Sequence, residues 1–76
     1  MGRIPIPKPS FLNDCVYLGY REGNRLWQGN DGSLYTWDSR HGEIEAFNRR
    51  GQHIAVLDAT TGERIKPPRR GRRIRV

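Results

Sequence analysis

The stretch "WDSRHGEIE", from Trp37 to Glu45, places Asp38, Arg40, His41, Glu43 and Glu45 in nine residues of a chain whose net charge is +6. A carboxylate three residues before an imidazole can orient that ring. Glu43 and Glu45 are two apart, so on a strand they share a face. A carboxylate base, an imidazole acid and nearby guanidinium groups are what RNA transesterification requires. The base takes the proton of a ribose 2′-OH, and the freed oxygen attacks the adjacent phosphorus in line. The acid protonates the leaving 5′-oxygen, and Arg offsets the charge on the phosphorane. The product is a 2′,3′-cyclic phosphate, with no metal or other cofactor required. DNA lacks the nucleophile. Two His and a single Cys make a poor structural zinc set, although a His/carboxylate site stays open. The plain alternative is a solvated hairpin tip with incidental charges.

The elements that must position these groups are short. A chain of 76 residues allows one small domain with a thin core. With 34% hydrophobic and 29% charged residues, the two Trp, three Tyr and two Phe must supply much of the core's bulk. No apolar run reaches membrane-spanning length, and "MGRIPIPKPS" lacks the apolar centre of a signal peptide. Residues 1–9 read as a Pro-rich segment, extended or loosely attached, and 10–76 as the folded domain. Ser10 is placed to cap one helical turn through Asp14. Candidate strands are 15–20, 25–28, 33–38, 43–48, 53–58 and 72–76, separated by Gly-bearing turns. The expected fold is mainly β (α+β), one small domain. It is a highly twisted antiparallel sheet of five or six short strands with a short N-terminal helix or turn. Pro67 and Pro68 set the last strand apart. Cys15, among apolar residues and with no local activating base, reads as a buried structural thiol. Trp37 and Tyr35 read as packing residues.

The hairpin around Gly51 has a preferred register. With "RRG" as a three-residue loop, Gly51 takes the left-handed position and Asn48 pairs with Gln52, Phe47 with His53 and Glu45 with Ala55. Ile44, Ala46, Ile54 and Val56 then face the core, while Glu43, Glu45, Phe47 and His53 share the other side. A two-residue loop would put His53 on the core face, so the longer loop separates apolar from polar better.

The charge is uneven. Through Gly62, seven Lys/Arg balance seven Asp/Glu; the last fourteen residues carry seven Lys/Arg against Glu63 alone. Segment 63–76 therefore reads as a phosphate clamp, with Arg69, Arg70 and Arg73 as RNA-binding candidates, or else as a solubilising tail. Arg40 is either a further phosphate contact or a solvent-exposed turn residue.

"LYTWDSRHGEIEAF", "GQHIAVLDATTGERIK" and "RRIRV", over about residues 25–76, closely resemble the C-terminal ribonuclease domain of cloacin and the ribosome-inactivating colicins. The specific core is Trp-Asp-Ser-x-His-Gly-Glu-x-Glu followed by Gly-Gln-His. The resemblance implies a bacterial toxin that cuts small-subunit ribosomal RNA in the decoding centre and stops translation. It would act in the bacterial cytoplasm, after secretion or delivery, with an acidic immunity or antitoxin protein as partner and no membrane association of this domain. It implies Asp38 as support for the catalytic His, His41 as general acid, Glu43 as a supporting group, Glu45 as general base and His53 as auxiliary. A gapless count places Arg72 on the family's active-site Arg; a gap near Pro67 would put Arg70 or Arg73 there instead. Phe47 stands where the family has Tyr, so the hydroxyl is lost and stacking on RNA is retained. The rival to a nuclease is a non-catalytic basic RNA-binding or ribosome-associated module.

Overall fold

The computed structural model describes residues 3–75. The first two residues of the Pro-rich segment and the last of the expected C-terminal strand lie outside them. Six antiparallel strands form one sheet, each beside its neighbour in sequence: β1 (Val16–Arg21), β2 (Asn24–Gln28), β3 (Leu34–Asp38), β4 (Glu43–Phe47), β5 (His53–Asp58) and β6 (Arg64–Lys66). The small mainly β domain expected from the turn spacing is observed. A 3-10 turn, Phe11–Asp14, precedes the sheet, and Ser10 caps it by accepting the Leu12 N–H on Oγ at 3.1 Å. No helix among the described residues is long and apolar enough to cross a membrane.

The β4–β5 hairpin has the three-residue loop. Asn48 N donates to Gln52 O at 2.9 Å, Phe47 pairs with His53, and Gly51 sits at φ 83°, which a side chain would strain. Beyond that pair the expected register fails. A bulge at Ile54 shifts the ladder, so Glu45 pairs with Val56 and Ala46 with Ala55. The extra residue turns Ile54 outward, 38% exposed, and moves Val56 to the Glu45 side. Ala55 and Leu57 join Ile44 and Ala46 on the core face instead.

Both faces of the sheet are covered, by opposite ends of the chain. On one face Trp27, Tyr35, Trp37, Ile44 and Leu57 pack with Leu12 from the 3-10 turn. There the N-terminal segment is tied down rather than loose: Ile4 N donates to Ser39 O at 2.8 Å, and Trp37 Nε1 donates to Ile4 O at 3.0 Å. Its side chain lies against Gly42, where an added Cβ would come within 3.0 Å of Ile4. Cys15 is partly buried against the same cluster, and burial first, then the charge of Asp14, pushes its thiol pKa up.

On the other face Leu26, Leu34 and Phe47 pack with Ile74 from the C-terminal segment. The expected strand at 72–76 is replaced by β6 at Arg64–Lys66, followed by a return that makes a single bridge between Gln52 and Arg73. Pro67 and Pro68 cannot donate to a ladder, so pairing ends there and the chain crosses the sheet's face as a strap. Ile74, 9% exposed with its N–H on Gly51 O at 2.8 Å, is the anchor of that strap. Ile74→Ala should cost about 2 kcal/mol, the low end for a core aliphatic truncation because the cluster is small. A urea midpoint unchanged from wild type would show that the strap is not anchored there.

Candidate active site

The bulge and the strap together build a cleft of about 430 Å³ on the second face. All six predicted catalytic residues line it: Asp38, His41, Glu43, Glu45, His53 and Arg72. Asp38 comes from the end of β3 and His41 from the turn that follows. Glu43 and Glu45 come from alternate positions of β4, His53 from the start of β5 and Arg72 from the strap.

Asp38 organises the turn. Its Oδ1 accepts the N–H groups of Arg40 at 3.0 Å and His41 at 3.3 Å, and its Oδ2 lies 2.7 Å from His41 Nδ1. That orientation leaves the far edge of the ring free, and the His41 side chain is 59% exposed. Burial pushes the Asp38 carboxyl upward. The hydrogen bonds from the His41 ring and from the N–H groups of His41 and Arg40 outweigh it and hold the pKa below the usual carboxylate range. A depressed acid stabilises the fold above its unfolded value of about 3.9, and that contribution is lost as the pH falls through the folded value. Asp38→Asn keeps an oxygen for the turn and removes the charge. Its stability deficit against wild type, measured by denaturant unfolding, should be present at pH 7 and smaller at a pH low enough to protonate the Asp38 carboxyl in the folded state. A deficit of equal size at both pH values would contradict the pairing.

Each glutamate has its own cation. Glu43 Oε1 lies 3.0 Å from Lys66 Nζ. Glu45, with 8% of its side chain exposed, lies 2.7 Å from His53 Nε2 and 3.6 Å from Arg72 Nε. The mutual repulsion that their spacing implies is thus offset locally.

His53 is buried, its side chain 1% exposed, with its ring edge-on to Phe47 at 5.3 Å. The strap's Arg69 N–H donates to Nδ1 at 2.9 Å. A ring that accepts at Nδ1 carries its proton on Nε2, and that N–H faces Glu45. The approach is close but off the N–H direction. Among the described residues, Nε2 is the one buried side-chain nitrogen or oxygen left without an aligned hydrogen bond. His53 is therefore placed to hold Glu45 and cannot itself reach solvent, whereas His41 can. The two imidazoles thus differ in exposure, His53 buried against the Glu45 carboxylate and His41 facing solvent.

Of the RNA-binding candidates, Arg69 lines the cleft and also an adjoining cavity of about 590 Å³, which takes in Arg70 and Arg73. Only Arg72 among the three alternatives for the active-site Arg reaches the cleft. Arg40 is exposed and lines a smaller cavity beside Asp38, Glu45 and Arg72. Phe47 is a correction. It is 1% exposed beneath Ile74 and cannot stack on RNA; it supports His53 from behind. Lys66 escaped the sequence reading because the two prolines after it suggested that the sheet had already ended. The alternation of Arg64, Ile65 and Lys66 was the available signal.

Asp38, His41 and Glu43 have ligand-type atoms within 4.8 Å of one another, a spacing that a divalent cation could use. Lys66 already brings positive charge to Glu43, which works against a second cation at that point.

A base, an exposed imidazole and a guanidinium gathered in one cleft of a small antiparallel sheet form an acid–base site suited to phosphate chemistry. The chain belongs to the Cytotoxic family, whose model matches residues 19–75. It is similar to colicin E3 of Escherichia coli, 41% identical over 46 aligned positions, with 58% of this chain covered. It is also similar to colicin-E6, 41% identical over 44 residues, and to cloacin, 39% identical over 44 residues, both of Escherichia coli. The matched stretch spans 8% of the length of each of these relatives. The resemblance carried by "WDSRHGEIE" and "GQH" is borne out by these matches.

Proposed function

We propose that the chain is the ribonuclease part of a bacterial toxin, cutting small-subunit ribosomal RNA in the decoding centre by metal-independent transesterification. The observation that carries this reading is the convergence of Glu45, His41 and Arg72 on one cleft. Glu45, held between His53 and Arg72, is the general base that takes the 2′-OH proton. His41, oriented by Asp38 and open to solvent, is the acid that protonates the 5′-oxygen. Arg72 offsets the charge of the phosphorane, and Glu43 with Lys66 borders the leaving side. Membership of the Cytotoxic family and the similarity to colicin E3 support the toxin class. A purely RNA-binding module would gain nothing from carboxylates set beside phosphate, which repel it.

A chain with this activity endangers its producer, so an acidic immunity protein is the proposed partner, drawn by the Arg-rich surface. Delivery from a producer cell would bring the domain to the cytoplasm of a target. Incubation with intact bacterial ribosomes should release one discrete small-subunit RNA fragment whose 5′ neighbour ends in a cyclic phosphate. Expression of the chain alone should arrest growth, and co-expression of its inhibitor should restore it. Intact ribosomal RNA after incubation with folded protein would sink the proposal and leave the binding module in its place.

A further inference from the structure

The tied-down N-terminal segment lies before the residues that the family model matches, and it finishes a second pocket. The hydrogen bonds of Ile4 to Ser39 and Trp37 set Arg3 beside Tyr20, Arg25 and Trp37, around a cavity of about 360 Å³. Its wall holds two guanidinium groups and no carboxylate. Tyr20 is 70% exposed, so its ring has little role in the core. Arg25 lies over the Trp27 ring, 5.6 Å from its centroid, and among the described residues neither Arg3 nor Arg25 has an ion-pair partner.

A further cavity lies between this pocket and the active-site cleft. It is smaller, and it shares Asn24, Trp37 and Ser39 with the pocket and Asp38, Glu45 and Arg72 with the cleft. On the cleft's other side, Arg69 and Arg72 are shared with the Arg-rich cavity. The acid–base groups thus lie between two carboxylate-free basic pockets that share wall residues with the cavities beside them. An exposed phenol flanked by cations suits a stacked base with its phosphate. Two guanidinium groups with no carboxylate in the wall favour a polyanion as the occupant.

We propose that Arg3, Tyr20 and Arg25 form a nucleotide subsite for the single-stranded RNA that flanks the scissile phosphate, with a base stacked on Tyr20 and a phosphate held by Arg3 and Arg25. This rests on the reading of the cleft as an RNA site. The test uses single-stranded 2′-O-methyl oligoribonucleotides, which cannot be cut because the 2′-oxygen is blocked, in a series of increasing length. Fluorescence anisotropy with wild-type protein should show a step in affinity once the strand is long enough to reach the pocket. Tyr20→Ala should remove about tenfold of that step, the scale of one lost stacking contact. The double variant Arg3→Ser with Arg25→Met, which keeps an aliphatic stem over Trp27, should remove the step and lower the salt dependence. Thermal melts check that the variants are folded; each altered side chain is exposed. If wild type shows no step, or the folded variants keep it, the subsite is overturned, including the case in which the pocket takes a protein. If the step behaves as described while wild type cuts no ribosomal RNA, the subsite stands and the nuclease reading fails.

Discussion

Glu45→Gln should lower cleavage of ribosomal RNA by about two orders of magnitude or more, the usual scale for loss of a general base. The amide keeps the shape and a group for the His53 and Arg72 contacts, but it cannot take a proton. RNA binding should persist or tighten, because one negative charge beside phosphate is gone. Burial makes this a sharp test. The side chain is 8% exposed and touches His53 and Arg72, so no neighbouring carboxylate can swing into its place. Glu43 is tied to Lys66 on the next row of the sheet. Single-turnover cleavage of intact ribosomes separates the chemical step from release. A wild-type rate in Glu45→Gln would remove Glu45 from the mechanism, and with it the functional reason for the buried His53.

Neutralising Arg69, Arg70 and Arg73 together should weaken RNA binding and flatten its dependence on salt. Three lost phosphate contacts should reduce the slope of log K against log salt by about two units on single-stranded RNA. These side chains line the cavity beside the cleft, whereas Arg72 stands 3.6 Å from Glu45. Arg72→Ala should therefore lower turnover by more than it lowers affinity, because the charge it meets develops in the transition state. Affinity by anisotropy and turnover on ribosomes are the two readouts. Equal proportional losses of affinity and turnover in both variants would deny Arg72 a separate role.

The site was more legible in the sequence than the frame around it. Asp38 and His41 are three residues apart in one turn, and Glu43 and Glu45 alternate on one strand, so local spacing alone brings them together. Gly51 fixed the loop and so put His53 opposite Phe47. The bulge at Ile54 was not legible, because alternation of apolar and polar residues cannot reveal one extra residue in a strand. The burial of Phe47 was hidden for a different reason. A sheet face bearing Glu45 and His53 looks polar until Ile74, over twenty residues away, is known to pack on Phe47. The position of Arg72 depends on the same long-range packing. The N-terminal segment gave no signal for its attachment either, since its bonds to Ser39 and Trp37 use backbone groups that any residue but proline at position 4 could supply.

The strict sequential order of the strands bears on how the protein reaches its working state. Every strand pairing in the sheet closes a short loop, so the chain pays little entropy to form it and low contact order favours rapid folding. Asp38, His41, Glu43, Glu45 and His53 are assembled by two successive hairpins of that kind. Arg72 instead comes from the strap, which is held by Ile74 packing on Leu26, Leu34 and Phe47 and not by a hairpin. If the proposed nuclease reading holds, competence for cleavage would then depend on the closing of the strap and not only on the formation of the sheet.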